Sequence, residues 1–168
     1  DLSLALATLD WNRATSLAKA IPAQAETWLK RPGFFDGVKT SHCLPLHEAC
    51  ITTAPVTTVH AILGAYPAAA RAKESSYSRL PLHCACRRIS TDPAVVRVLI
   101  GANRAACLVP DDLGRLPIHY ALSNGADPVV IHALLTAATA SARGVDTAGW
   151  TPLHVACASG ASVGVITA

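Results

Sequence analysis

One heptapeptide recurs four times in this chain and restricts its fold more than any other feature. The copies are Leu44–Cys50, Leu80–Cys86, Leu116–Leu122 and Thr151–Cys157, which read LPLHEAC, LPLHCAC, LPIHYAL and TPLHVAC. Their prolines follow one another at intervals of 36, 36 and 35 residues. A regular period between about 20 and 50 residues indicates a solenoid or a propeller, in which each unit packs against its neighbours.

Each copy has the features of a helix start. Proline suits the first helical turn, because its φ is already helical and the N–H that it lacks would be unpaired there. In the first copy Leu46, Ala49 and Cys50 follow at helical spacing. We therefore predict a short first helix whose small residues allow close packing. The prolines and histidines of the four copies are expected to serve these helix starts and their packing: Pro45, His47, Pro81, His83, Pro117, His119, Pro152 and His154.

A second helix is predicted in each unit. Asp92-Pro93 and Asp127-Pro128 place a capping carboxylate before a proline, which is typical of a helix N-terminus. Large aliphatic residues follow at helical spacing and predict one apolar face per helix. They are Val59, Ile62 and Leu63, then Val95, Val98 and Leu99, then Ile131, Leu134 and Leu135.

Polar connectors lead from each second helix to the next unit. They end in Asp111–Gly114 and in Asp146–Gly149, and Asp followed three residues later by Gly is typical of a tight turn. We expect these segments to project as hairpins.

These residues resemble the ankyrin repeat, whose pattern is Asp-x-x-Gly-x-Thr-Pro-Leu-His-x-Ala followed by a helix rich in Val and Leu. Residues Asp146 to Gly160 match it almost residue for residue. The resemblance implies an all-α fold, an ankyrin-repeat solenoid of stacked helix-turn-helix units joined by extended hairpin loops.

Two departures from the family pattern carry expectations. Leu44, Leu80 and Leu116 stand where the family has threonine, so the threonine–histidine hydrogen bond is expected to be missing in three units. The interval also exceeds the family's period of about 33 residues, which predicts longer hairpins.

The resemblance divides the chain into a cap and a set of repeats. Residues 1–40 are predicted to form a diverged N-terminal capping repeat, since Trp11, Leu17, Pro22 and Trp28 match the pattern only loosely. The repeats are expected at 41–74, 75–111, 112–146 and 147–168, of which the last is incomplete. We expect further residues to follow Ala168 in the natural protein.

Composition restricts the class of function. The net charge of +3 is spread along the chain rather than concentrated, so nucleic-acid binding is not expected. The longest apolar stretch, Val129 to Ala142, is shorter than the roughly 20 residues of a membrane span. The six cysteines are predicted to be reduced thiols of an intracellular protein, since Cys50, Cys86 and Cys157 recur within the heptapeptide whereas Cys43 and Cys107 lie outside it. Cytosol or nucleus is the default compartment, and an organelle is the alternative if the N terminus is processed.

No catalytic motif or cofactor motif is found in the sequence, so we predict that the chain is not an enzyme and needs no cofactor. The competing interpretation is a thiol- or metal-dependent regulatory protein, because His83, Cys84 and Cys86 are residue types that bind zinc. Against it, the His–Cys pair belongs to the repeated heptapeptide, where a free cysteine behaves as a small apolar residue.

The family resemblance implies another protein as partner, held on the concave face. The chain would then be a scaffold, an adaptor or a peripheral subunit of a large assembly. The residues that the resemblance assigns to this face are Tyr77, Arg79, Arg87, Arg88, Asp112, Leu113, Arg115, Asn124 and Trp150.

Two properties of that face stay open in the sequence. The arginines at 79, 87, 88, 97 and 115 either form a basic patch for an acidic segment or belong to an ordinary solvated surface. Tyr77 and Trp150 either contact the partner or fold back on their own hairpins.

Overall fold

Helical pairs follow one another along the chain in the computed structural model, which describes residues 1–34, 37–88 and 91–161. Within these ranges the α-helices are α1 (Leu2–Ala7), α2 (Trp11–Ala20), α3 (Pro45–Ile51), α4 (Val56–Ala65), α5 (Pro81–Cys86), α6 (Pro93–Ala102), α7 (Pro117–Ser123), α8 (Pro128–Ala137) and α9 (Pro152–Ala158). Two short strands, β1 (Leu29–Arg31) and β2 (Ser41–Cys43), pair antiparallel. Residues 162–168 of the predicted fourth repeat lie outside the described residues.

The helices pack in two layers. In the first-helix layer, α1, α3, α5, α7 and α9 each contact the next helix of the series, and in the second-helix layer α2, α4, α6 and α8 do the same. The two helices of each pair also pack against each other. The predicted all-α solenoid is therefore confirmed.

The predicted helix starts are confirmed as well. Proline is the first residue of α3, α5, α7 and α9. The Asp92 carboxylate accepts a hydrogen bond from the Ala94 N–H at 2.8 Å, and that of Asp127 accepts one from Val129 at 2.7 Å. These bonds satisfy N–H groups that have no partner within the helix.

The core lies between the two layers and is closed by stacking. Leu46, Leu82 and Ile118 occupy the same position in successive first helices and are all buried. Burying an aliphatic side chain of this size stabilises the fold by about 1.5–3 kcal/mol. Leu153 has that position in α9 but is 55 % exposed, because no later helix covers α9 within the described part of the chain.

Each second helix is followed by a short 3₁₀ helix that the sequence analysis does not predict. The three copies that follow α4, α6 and α8 are Pro67–Arg71, Arg104–Leu108 and Thr139–Arg143. A fourth, Pro22–Glu26, follows α2. The N-terminal unit thus has the same order of elements as the repeats, and its two helices continue both layers.

A buried histidine ties each of the first helices α3, α5 and α7 to the hairpin of the next unit. Its Nδ1 accepts a hydrogen bond from the backbone N–H three residues earlier, and its Nε2 lies at hydrogen-bond distance from a carbonyl oxygen of the following hairpin. The Nδ1 bonds are Leu44–His47 at 3.2 Å, Leu80–His83 at 3.1 Å and Leu116–His119 at 3.0 Å. The Nε2 contacts are His47–Arg79, His83–Arg115 and His119–Trp150, each at 3.2 Å.

The histidine bonds show what the leucine substitutions change. Thr151 Oγ1 lies 2.8 Å from His154 Nδ1, and a leucine has no hydroxyl to make this bond. The backbone bond to Nδ1 remains in all four copies. Thr151 Oγ1 also accepts a hydrogen bond from the His154 backbone N–H at 3.4 Å. Leu44, Leu80 and Leu116 therefore lack two of the three local bonds that Thr151 makes at its helix start.

Burial keeps these histidines neutral. It lowers the pKa of His47 and of His83 to about 4, against backbone hydrogen bonds that act in the opposite direction. A neutral ring has one N–H and one free lone pair. Since Nδ1 accepts, the proton lies on Nε2 and is donated to the next hairpin.

This protonation state predicts that stability falls in mild acid. An unfolded histidine binds its proton near pH 6.5, whereas folded His47 and His83 stay neutral down to about pH 4. Protons therefore bind preferentially to the unfolded chain between these values. We expect the free energy of unfolding to be highest above pH 6.5 and to fall below it by about 1.4 kcal/mol per pH unit for each histidine.

Urea unfolding at intervals between about pH 7.5 and pH 5 measures this slope. In His83→Gln the slope should be smaller by the contribution of one histidine, and in His132→Gln, at an exposed position of α8, it should be unchanged. An unaltered slope in His83→Gln would contradict the assignment.

Two glycines in equivalent turns give a second prediction. Gly114 has φ +70°, and a Cβ there would lie 2.9 Å from the Thr147 backbone N, which donates to the Leu113 carbonyl. Gly149 has φ +82° with nothing within 4 Å of a Cβ. Gly114→Ala should cost about 2 kcal/mol or more, through strain and the displaced bond, and Gly149→Ala about 1 kcal/mol. Equal losses in thermal unfolding of the two variants would contradict the role of the contact.

Candidate protein-binding face

Three tight turns before α5, α7 and α9 lie side by side, and we call residues 74–79, 111–115 and 146–150 the hairpin turns. One backbone hydrogen bond joins each to the hairpin before it. These bonds are Ser75 N–H to His42 O at 3.1 Å, Asp112 N–H to Tyr77 O at 2.9 Å and Thr147 N–H to Leu113 O at 3.0 Å. The hairpin turns therefore form a continuous row.

A buried carboxylate organises each hairpin turn. Asp111 Oδ1 accepts hydrogen bonds from the N–H groups of Leu113 and Arg115, both at 2.9 Å. Asp146 does the same for Ala148 and Trp150, again at 2.9 Å. The sequence pattern predicts both turns, because Asp is followed three residues later by Gly.

Glu74 is the equivalent residue of the first hairpin turn, and sequence reasoning missed it because no glycine follows. Its carboxylate accepts hydrogen bonds from Ser76 and Tyr77 backbone N–H groups at 2.7 and 2.8 Å, and also from the Ser41 and Ser76 hydroxyls. Burial acts to raise the pKa of Glu74, but these donors outweigh it and the pKa is lowered. The carboxylate is therefore held ionised.

The second oxygen of Asp111 lies in a buried ion pair. Arg79 Nε is 3.1 Å from Asp111 Oδ2, and the Tyr120 hydroxyl donates to that oxygen at 2.6 Å. Arg79 Nη2 in turn donates to the Tyr120 hydroxyl at 3.0 Å. Burial, then the bond to Asp111, raises the pKa of Tyr120 to about 12. The network joins the first hairpin turn to the second and to α7.

Arg115 makes the corresponding ion pair one repeat later, with weaker geometry. Its Nε lies 3.4 Å from Asp146 Oδ2, and 42 % of its side chain is exposed. The pair of Arg79 and Asp111 has side chains that are at most 4 % exposed. Both arginines therefore pair with the aspartate of the next turn, but the pair of Arg79 is buried and Arg115 is partly exposed.

Cations and tyrosine rings alternate along the hairpin turns. Lys39 Nζ and the Arg79 guanidinium lie 4.2 and 4.1 Å from the centre of the Tyr77 ring. The guanidiniums of Arg79 and Arg115 lie 5.4 and 5.7 Å from the centre of the Tyr120 ring. Such contacts fix the rings and the cations in place. Tyr77 therefore packs against neighbouring residues of the row rather than standing free.

The sequence-predicted partner residues fall into three groups. Those exposed are Arg88, Asp112 and Trp150, and those partly buried are Tyr77, Arg87, Leu113, Arg115 and Asn124. Arg79 is 3 % exposed, so its assignment to the partner-binding surface is wrong. Tyr120 covers it and Asp111 neutralises it.

The arginines do not form one basic patch. Arg87 and Arg88 follow the last residue of α5, so the six-residue helix, about 9 Å long, separates them from the hairpin turns. Asn124 lies at the same end of α7, and Arg97 lies on α6 in the second-helix layer. The hairpin turns therefore contain Tyr77, Asp112, Leu113, Arg115 and Trp150, without Arg87, Arg88 and Asn124.

The exposed charge beside the hairpin turns is mainly positive. Glu74, Asp111 and Asp146 are buried by their turn bonds, and among the described residues of the turns Asp112 is the exposed carboxylate. Lys73, which precedes the first turn in the chain, and Lys39, whose Nζ lies over the Tyr77 ring, are exposed, as is part of Arg115. The turns thus bury three carboxylates, whereas the side chains that remain exposed beside them are mainly cationic.

The cluster proposed for metal or thiol chemistry is engaged in packing. His83 has both ring nitrogens in hydrogen bonds. Burial raises the pKa of the Cys84 and Cys86 thiols well above the usual range, which holds them protonated and unreactive. In the described part of the chain no three His, Cys, Asp or Glu side chains are placed to share a metal ion.

The two ion pairs predict different losses of stability. Arg79→Met leaves the Asp111 carboxylate buried without its cation and should cost about 3–5 kcal/mol. Arg115→Met removes a half-exposed partner and should cost less than about 1 kcal/mol. Urea unfolding of the two variants at neutral pH measures the difference, and equal losses would contradict the role of burial.

Comparison with known proteins agrees with this architecture. Within residues 1–34, 37–88 and 91–161, no helix has the length and apolarity to cross a membrane. No curated protein matches the chain. A family model described as ankyrin repeats, in three copies, matches residues 82–166, which is half of the chain. With its stacked helical pairs, tight hairpin turns and bridging histidines, the chain belongs to the ankyrin-repeat family.

Proposed function

We propose that this chain is a non-catalytic module that binds another protein across the row of hairpin turns. Ankyrin repeats are generally protein–protein interaction modules. The observation that carries the proposal is the rigid placement of contact residues on that row. Trp150 is 44 % exposed although its backbone N–H and carbonyl are both held by hydrogen bonds.

Rigid turns favour binding because little conformational entropy is lost on association. The N–H groups of Leu113, Arg115 and Trp150 are fixed by buried carboxylates. Trp, Tyr and Arg side chains also dominate the binding energy of many interfaces. Trp150, Tyr77 and Arg115 supply these side chains within the row.

The partner side of the row is proposed to be acidic. Lys39, Lys73 and part of Arg115 are exposed, and among the described residues of the turns Asp112 is the exposed carboxylate. Opposite charge in a partner would steer association and set the register. Nucleic acid is not favoured, because the Tyr77 ring is already covered by Lys39 and Arg79 rather than open to stacking bases.

We also propose an intracellular location and a role as a scaffold, an adaptor or a peripheral subunit of a larger assembly. All six cysteines are free thiols, and five of them are buried in packing positions. Such use of cysteine suits a reducing compartment.

The proposal predicts that substitutions on the row weaken partner capture. Trp150→Ala and Leu113→Ser should each reduce the amount of captured partner about tenfold in pull-downs quantified by mass spectrometry. Arg143→Ala, an exposed position on the 3₁₀ helix after α8, serves as the matched control and should retain the partners.

The variant Arg88→Glu tests whether the partner contacts the end of α5 rather than the row of hairpin turns. Its capture should equal that of the control if the hairpin turns are the contact surface. Retention of every partner by both Trp150→Ala and Leu113→Ser would contradict the proposal.

A further inference from the structure

The second-helix layer has a groove that the proposed function does not use. It opens to solvent between α6 and α8 and encloses about 530 Å³. Residues from both helices and from the 3₁₀ helix after α6 line it. The groove belongs to the second helices, whereas the hairpin turns precede the first helices.

The groove has a floor of small residues and an apolar wall. Gly101, Ala133 and Ala137 line it beside Ile100 and Val129, and Val129 is 48 % exposed. Small residues allow the backbone of a bound segment to approach, and exposed aliphatic side chains provide surface to bury. These features suit a short helix with an aliphatic stripe.

Three basic side chains line the same groove. Arg97 and His132 are the fifth residues of α6 and α8, one from each side. Arg104 is held in place, because its guanidinium donates to the carbonyl oxygens of Ala137 at 2.7 Å and Thr136 at 3.3 Å. These two carbonyls belong to the last turn of α8.

Among the described residues, no carboxylate lines this groove. The acidic residues of α6 and α8 are the capping residues Asp92 and Asp127, each hydrogen-bonded to its own helix. The charge of the lining is therefore of one sign, and it complements an acidic ligand.

We propose that the α6–α8 groove binds an acidic amphipathic helix of a partner protein. Its aliphatic stripe packs against Ile100 and Val129, and its carboxylates approach Arg97, Arg104 and His132. This is a second interaction surface, and it stands whether or not the hairpin turns bind a partner.

The fold contains its own comparison site. A groove of about 540 Å³ occupies the same position between α2 and α4. Small residues and the basic side chains of Lys19 and His60 line it, and none of its described lining residues is a carboxylate. Thr57 stands there in place of Val129, and Pro22 in place of Arg104. This groove lacks the guanidinium and the apolar wall, so it should bind an acidic helix more weakly.

The test uses a fluorescein-labelled helical peptide of about 12 residues, which spans about 18 Å. Leucines form one stripe of the peptide and glutamates flank it, and a matched peptide has lysine for every glutamate. Fluorescence anisotropy with the full chain should show at least about tenfold tighter binding of the glutamate peptide. Equal affinity for the two peptides would overturn the proposal.

Substitutions at exposed positions locate the site and leave intact the hydrogen bonds of Arg104 to the last turn of α8. The double variant Arg97→Glu/His132→Glu should weaken binding of the glutamate peptide about tenfold or more, and Val129→Gln about fivefold. Lys19→Glu/His60→Glu, in the α2–α4 groove, should leave the affinity within about twofold. Wild-type affinity in the double variant would overturn the proposal.

Two further measurements separate this groove from the hairpin turns and from other ligands. Amide shifts on peptide addition should concentrate on α6, α8 and the 3₁₀ helix after α6, and Trp150→Ala should bind the peptide normally. Shifts confined to the hairpin turns would overturn the groove and leave the proposed function standing. Binding to phosphatidylserine vesicles or to duplex DNA, without binding to the peptide, would overturn the protein ligand.

Discussion

The stack depends on a neutral histidine that faces two ways. At the starts of α3, α5 and α7 the ring accepts a hydrogen bond from its own unit and donates one to the hairpin of the next unit, as His83 does for Leu80 and Arg115. Only one tautomer of the uncharged ring can do both. Burial supplies the uncharged state, since it lowers the pKa of His47 and His83 to about 4. Because the same bond recurs at the same interval, every hairpin turn has a defined position relative to the helices below it.

The charge of the exposed surface follows from the hydrogen bonds that hold the hairpin turns. Each turn needs an acceptor for two or more backbone N–H groups, and a buried carboxylate supplies it at Glu74, Asp111 and Asp146. Burying a carboxylate is unfavourable unless donors surround it. Those donors are backbone groups, hydroxyls and, for two of the turns, an arginine. The three turn carboxylates are thereby buried, whereas Lys39, Lys73 and part of Arg115 remain exposed.

Most of the fold could be predicted from the sequence because it depends on interactions between residues close together in the chain. Contacts between residues far apart in the chain could not be predicted. Proline and aspartate at helix starts act within a few residues, so their effect is readable. The fate of Arg79 depends on Asp111 and Tyr120, which lie 32 and 41 residues away. Arg115 occupies the same position one repeat later, but Val155 stands where Tyr120 would cover it. The two arginines therefore look alike in sequence and differ in burial.

The contrast between Arg79 and Arg115 indicates which positions of a repeat can determine the choice of partner. The histidines, the turn carboxylates and the helix-start prolines recur because they make the helix starts and the hydrogen bonds that join one unit to the next. Positions beside them are free to differ, and they do: Trp150 follows Arg79 and Arg115 in register, and Val129 replaces Thr57. Each such change alters one exposed surface while the hydrogen bonds beneath it remain. Two repeats with the same backbone can thus offer different ligands different chemistry, which is why the row of hairpin turns and the α6–α8 groove need separate tests.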